Sequence, residues 1–118
     1  MQIVLASLNA AVALLSGVSS LVGLARPSLA LAEGEQLGPG GTFFLGAYAA
    51  RALPLSLVTL VALAAGPATA LPPVLVVSGL AQVGDAVLGA RRGNRPMVAT
   101  CIVLALIHLV SAGWLLAR

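Results

Sequence analysis

Three ionisable side chains stand inside otherwise apolar stretches. Arg51 lies in "GAYAARALPLSLVTLVAL" (46–63), Asp85 in "GLAQVGDAVLGA" (79–90) and His108 in "IHLVSAGWLLA" (107–117). A guanidinium keeps its charge at any accessible pH and offers five N–H donors, whereas a carboxylate accepts and an imidazole does either. Brought together, such groups suit acid–base chemistry. Asp85 or His108 would move a proton, and Arg51 would hold an anionic group or stabilise developing negative charge. Whether they meet depends on the elements that carry them.

The chain has 118 residues, 60% hydrophobic and only 8% charged, with a mean hydropathy of +1.11. Soluble domains carry about 25% charged residues, so this composition cannot cover a water-facing surface and reads as an integral membrane protein. The six basic residues are all arginine, opposed by three acids, and the pI is 10.6. With so few charges and aromatics, that basicity reflects where the arginines sit and excludes a nucleic-acid partner. The single cysteine, Cys101, excludes an intrachain disulfide. Arginine without lysine, amid abundant Ala, Gly, Leu and Val, points to a GC-rich bacterial genome.

A helix needs roughly 20 apolar residues to cross the hydrocarbon. Four stretches qualify, over about 2–25, 42–65, 72–90 and 97–117. Backbone groups must be satisfied within lipid, so the spans are helices, and the ten-residue alternation of an outer-membrane barrel is missing. The expected fold is all-α, a single domain over 1–118 built as a four-helix transmembrane bundle. The "ALA" at 30–32 resembles a signal-peptidase site, but no positive segment precedes the first apolar run. A retained helix is expected there.

Loop arginines set the orientation. Arg26, Arg91, Arg92 and Arg95 lie in the first and third loops, and only Arg118 lies on the other side. Loops 26–41 and 91–96 are therefore expected in the cytoplasm and both termini outside, in a bacterial inner membrane. The "GARRGNRP" stretch is read as this topology signal, with anionic lipid head groups as the sharper alternative. The long first loop is expected to be a flexible connection, with a lid over the bundle mouth as the alternative.

These assignments give depths. Counting 1.5 Å per residue from the cytoplasmic side, Arg51 lies about 13 Å deep, Asp85 about 8 Å, Gln82 about 12 Å, Ser16 about 14 Å and His108 about 17 Å. Residues three or four apart share a helix face, which draws one polar stripe on each span. The stripes are Asn9–Ala13–Ser16–Ser20, Tyr48–Arg51–Leu55, Ser78–Gln82–Asp85–Gly89 and Cys101–Leu104–His108–Ser111. Such stripes face the bundle interior. A lone charge at the bilayer centre costs about 2.5–3.5 kcal/mol on insertion scales, so Arg51 needs a partner, and Asp85 is the one acid in any span. The expectation is an Arg51–Asp85 pair with Gln82 and Tyr48 filling the remaining hydrogen-bond positions. Pro54 leaves the Ala50 carbonyl without its helical donor and predicts a kink beyond Arg51. Gly46, Ala50, Gly79, Gly84 and Gly89 are expected to allow close helix approach.

The pattern of "LGAYAARALPLSL", "GLAQVGDAVLGARRG" and "IHLVSAGWLLAR" across the last three spans resembles the DUF4267 family of small bacterial four-helix membrane proteins. The resemblance covers about the whole chain and maps that family's recurrent Arg, Asp and His onto Arg51, Asp85 and His108. Ala52 stands where the family has an acid after its arginine, which throws more weight on Asp85. No activity follows from the family name. A weaker echo links "SGVSSLVGLARP" (16–27) with "SGLAQVGDAVLGARRGNRP" (78–96), read either as two parallel hairpin repeats or as chance similarity between Ala/Gly/Val-rich helices.

Three functions stay open. One is a membrane-embedded acid–base enzyme, an isomerase or cyclase, using Asp85, His108 and Arg51 on a lipophilic substrate. Tyr48, Gln82, Ser78, Ser16, Ser111 and Trp114 are its candidate ligand-lining residues. The second is a binder or carrier of a small amphipathic molecule, and the third an accessory subunit in which the polar cluster only fixes helix register. No cofactor is expected, and no metal quartet, phosphate loop or nucleophile elbow occurs in the sequence. Membrane lipids and a lipophilic small molecule are the expected partners, and a transporter would need a homo-oligomer.

Overall fold

A computed structural model describes residues 2–31 and 33–118. Met1 and Ala32, the last residue of the "ALA" stretch, lie outside it. Four helices follow one another: α1 (Gln2–Ala25), α2 (Pro39–Ala65), α3 (Leu71–Arg91) and α4 (Arg95–Leu116). Each is long and apolar enough to cross a membrane. The bundle measures 47 × 23 × 18 Å, and its outer surface carries leucine, valine and isoleucine suited to acyl chains.

Local chemistry sets the ends. Pro39, Pro72 and Pro96 each sit in a first helical turn, where the missing N–H is no loss. This moves the start of α2 three residues ahead of the expected Thr42, to Pro39. Gly93 takes φ +68° in the turn after α3, and the Asn94 side chain then caps α4 by accepting from the Met97 N–H at 3.1 Å. Pro54 lies within α2, and the helix runs through it without interruption.

The helices form two antiparallel hairpins, α1 with α2 and α3 with α4. Packing is most extensive inside each hairpin and sparser between them. Small residues explain the close contacts. A methyl group at Gly17 would fall 3.3 Å from Ser56, and one at Gly79 would fall 2.6 Å from the Leu109 side chain. Gly89 likewise presses on Met97, at 3.1 Å. Gly46, Ala50 and Gly84 behave otherwise than expected. Ala50 is exposed, and a methyl group at Gly46 or Gly84 would meet no described atom within 4 Å.

The echo between the two halves has a structural counterpart. Ala13, Ser16, Gly17 and Ser20 are buried in α1, and Leu75, Ser78, Gly79 and Gln82 follow at the same spacing in α3. Ala49, Ala52, Ser56 and Thr59 in α2 are matched by Cys101, Leu104, His108 and Ser111 in α4. In that spacing His108 falls where Ser56 falls on α2.

The first loop is tethered. Pro27–Leu29 form a short 3-10 turn, and Glu35 pairs with Arg92 beside the α3–α4 turn. Arg92 also lies over the Phe44 ring, 5.0 Å from its centre. At the opposite end Arg118 covers Trp114 at 3.6 Å.

Candidate functional site

Among the described residues, every side-chain hydrogen bond between two helices joins one hairpin to the other. Arg51 of α2 donates from Nη2 to Asp85 Oδ1 of α3 at 2.5 Å and from Nη1 to the Ala81 carbonyl at 3.2 Å. Gln82 of α3 donates to Ser16 Oγ of α1 at 3.0 Å. Thr59 of α2 and Ser78 of α3 share a bond of 3.0 Å. Asn9 of α1 meets two residues of α4, Ser111 Oγ and His108 Nδ1, each at 2.7 Å. Polar groups pair across this seam because hydrocarbon offers them no other partner.

The ion pair is asymmetric. The Asp85 side chain is 3% exposed and that of Arg51 is 40% exposed. Arg51 springs from the edge of α2, and its long side chain reaches inward to the carboxylate while its stem covers apolar surface. The expected α2 stripe of Tyr48, Arg51 and Leu55 is therefore displaced. The buried face of α2 is Leu45, Ala49, Ala52, Ser56 and Thr59. The stripes expected on α1, α3 and α4 are all buried.

Two further expectations need correction. Gln82 does not complete the ion pair; it bonds Ser16, one turn away. Tyr48 meets Arg51 through its ring face, 5.5 Å from the guanidinium, so it offers a cation–π contact in place of a hydrogen bond. His108 is buried and bound to Asn9. The polar groups thus form a ladder along the bundle axis: Ser78 and Asp85 lie two turns apart on α3, about 10 Å.

Two spaces meet at the ion pair. Inside, a narrow polar cavity of about 20 Å³ is lined by Ser16, Ser56, Ser78, Gln82, Asp85 and His108, with Arg51 at its edge. Outside, a lateral groove of about 610 Å³ between α2 and α3 is lined by Phe44, Tyr48, Arg51, Asp85, Leu88 and Arg91. Arg51, Asp85 and Tyr48 line both spaces and form the wall between them. Ser111 and Trp114 border a separate apolar pocket of about 180 Å³ near the chain termini. They do not line the space beside Arg51.

Sequence reasoning placed Asn9 on the α1 stripe without giving it a role, and it passed over Ser56 and Thr59. The signal for the latter two was the small-residue spacing Ala49, Ala52, Ser56, Thr59, which the charge of Arg51 outweighed. Among the described residues, no three potential metal ligands cluster. Comparison with known proteins finds no matching family model, no matching curated protein and no matching solved structure.

Proposed function

We propose that this multi-pass membrane protein binds a small amphipathic molecule in the α2–α3 groove. An anionic head group would sit on Arg51, and the apolar part would run along Phe44, Ala47, Val87 and Leu88. The observation that carries this reading is the divided guanidinium. Two of its five N–H groups serve Ala81 and Asp85, and the rest of an exposed side chain faces a groove large enough for a ligand. Arg91 adds a second positive charge to that groove. The proposed setting is the bacterial inner membrane with the arginine-bearing loops in the cytoplasm, and the resemblance to DUF4267 stands as a proposal beside it.

The test uses a radiolabelled long-chain fatty acid and the matching fatty alcohol, with protein in nanodiscs of zwitterionic lipid. The acid should bind saturably and the alcohol at least about tenfold more weakly, the loss expected when one charged hydrogen bond goes. Arg51→Met combined with Asp85→Leu should abolish the preference, and Arg95→Gln, outside the groove, should keep it. Equal binding of acid and alcohol to the wild type would refute the proposal.

A second reading is an acid–base isomerase or cyclase, favoured by Asp85 and His108 lining one cavity beside the groove. On that reading Asp85→Asn and His108→Ala each abolish turnover of a groove-bound substrate, and His108→Ala, outside the groove, leaves fatty-acid binding intact. A carrier role requires assembly of several copies, since the interior cavity of one bundle is far smaller than any substrate.

A further inference from the structure

We infer that Asn9 locks His108 as its Nδ1–H tautomer, which leaves Nε2 as an acceptor for a water molecule in the cavity that Asp85 also lines. The argument starts at a backbone carbonyl. Asn9 Nδ2 lies 2.8 Å from the Leu5 carbonyl oxygen, which can only accept. The amide nitrogen must therefore be on that side, since a flipped amide would set two acceptor oxygens against each other. The second Nδ2 proton goes to Ser111 Oγ. That leaves Oδ1, an acceptor, 2.7 Å from His108 Nδ1. A neutral imidazole can make this bond only by carrying its proton on Nδ1, which leaves the lone pair on Nε2.

The cavity matches what remains. Its volume of about 20 Å³ exceeds the roughly 10–15 Å³ one water needs and leaves little room for anything more. His108, Asp85, Ser16, Ser56, Ser78 and Gln82 line it. Of the lining hydroxyls, Ser16 accepts from Gln82 and keeps its own proton to donate, whereas Ser78 is engaged. Thr59 gives its single proton to the Leu55 carbonyl at 2.8 Å, so Ser78 is the donor in the Thr59–Ser78 bond. With Nε2 presented as an acceptor and the Ser16 hydroxyl as a donor, the fitting guest both donates and accepts hydrogen bonds. Water does so, in a cavity that also borders the carboxylate anchoring Arg51. Asn9 is then a positioning residue that acts through His108.

The chain contains one histidine, so histidine labelled with ¹⁵N gives one pair of ring signals in solid-state NMR of the protein in bilayers. The wild type should show the Nδ1–H form in about tenfold excess, as when one buried hydrogen bond separates the two forms. A ring protonated on Nε2, or on both nitrogens at neutral pH, would overturn the assignment. Asn9→Leu should shift the population toward Nε2–H, and retention of Nδ1–H there would remove Asn9 from the argument. Should that variant fail to fold, the wild-type spectrum decides alone. Magnetisation transfer from water protons to the ring should be seen, and its absence would exclude the water. These measurements need no occupant of the groove, so their outcome and that of the fatty-acid titration are separable.

Discussion

The two kinds of helix interface differ in how they hold. Within each hairpin, backbones approach over glycine, and Gly17, Gly79 and Gly89 leave room for Ser56, Leu109 and Met97. Between the hairpins, contact is sparser and hydrogen bonds span the gap. Lipid tails are as apolar as leucine, so burial of apolar surface gives helices no reason to associate in a membrane. Close packing is one substitute and polar pairing the other, and this protein uses each in a different place. The space along the α3–α4 interface is lined by apolar residues alone. The seam brings ionisable and hydroxyl groups together, and so the candidate site lies where the two halves meet.

The largest effect should come from breaking the seam at its charged rung. Arg51→Met strands a carboxylate that is 3% exposed. The expected loss is about 3 kcal/mol, the lower end of the range for breaking a buried pair, because the guanidinium itself is partly exposed. Adding Asp85→Leu should restore most of that stability, since an apolar pair of similar volume asks for no partner. Unfolding followed by Trp114 fluorescence in mixed micelles of graded denaturing strength measures both. A double variant as unstable as the single one would show that the ion pair is more than a solution to its own burial.

The glycine interface should rank second. Gly79→Leu forces a branched side chain into the space of Leu109 and should cost about 1–3 kcal/mol, as overpacking does elsewhere. The same unfolding assay applies, with a readout that separates the interfaces. Cys101 is buried in α4 on the side that carries Asp85 and Arg51, whereas the Gly79 contact with Leu109 lies two turns away along that helix. Arg51→Met should therefore speed labelling of Cys101 more than Gly79→Leu does. Equal acceleration by the two variants would mean that the hairpins do not behave as separate units.

How far the sequence foretold this arrangement varies by helix. Spans, order and stripes could be read for α1, α3 and α4, because there the polar residues are also the buried ones. On α2 the reading was displaced by one residue. Arginine is long enough to start from the edge of a helix and end in its centre, so charge marked the wrong face, while Ala49, Ala52, Ser56 and Thr59 marked the right one. The Arg51–Asp85 pair was legible from necessity, since a charge within a membrane span required an opposite one. The partners of Gln82 and His108 were not. They depend on which helices are neighbours and at what height, and several hydroxyls and amides on the stripes were equivalent candidates until the hairpins were placed.

The third prediction tests how little a single neutral rung contributes. Ser78→Ala deletes the bond to Thr59, but Thr59 keeps its own bond to the Leu55 carbonyl. No buried donor is stranded, so the cost should be about 0.6 kcal/mol, the average for such bonds between membrane helices. A loss above about 2 kcal/mol would show that the seam acts as one cooperative network and not as separate rungs.

The effect of opposite sign should fall on glycines that touch nothing. Gly46 in α2 and Gly113 in α4 lie in helix interiors, with no described atom within 4 Å of where a methyl group would stand. Glycine there has no packing role and only loosens the helix. Gly46→Ala and Gly113→Ala should therefore be neutral or stabilising by up to about 1 kcal/mol, the propensity difference between the two residues. Gly79→Ala should destabilise by displacing Leu109, although its propensity change is identical. The sign difference between Gly46→Ala and Gly79→Ala isolates packing from helix formation within one protein and one assay. If all three alanine variants moved together, the close approach at Gly79 would not be what holds α3 to α4, and the distinction between a packed and a hydrogen-bonded interface would lose its basis.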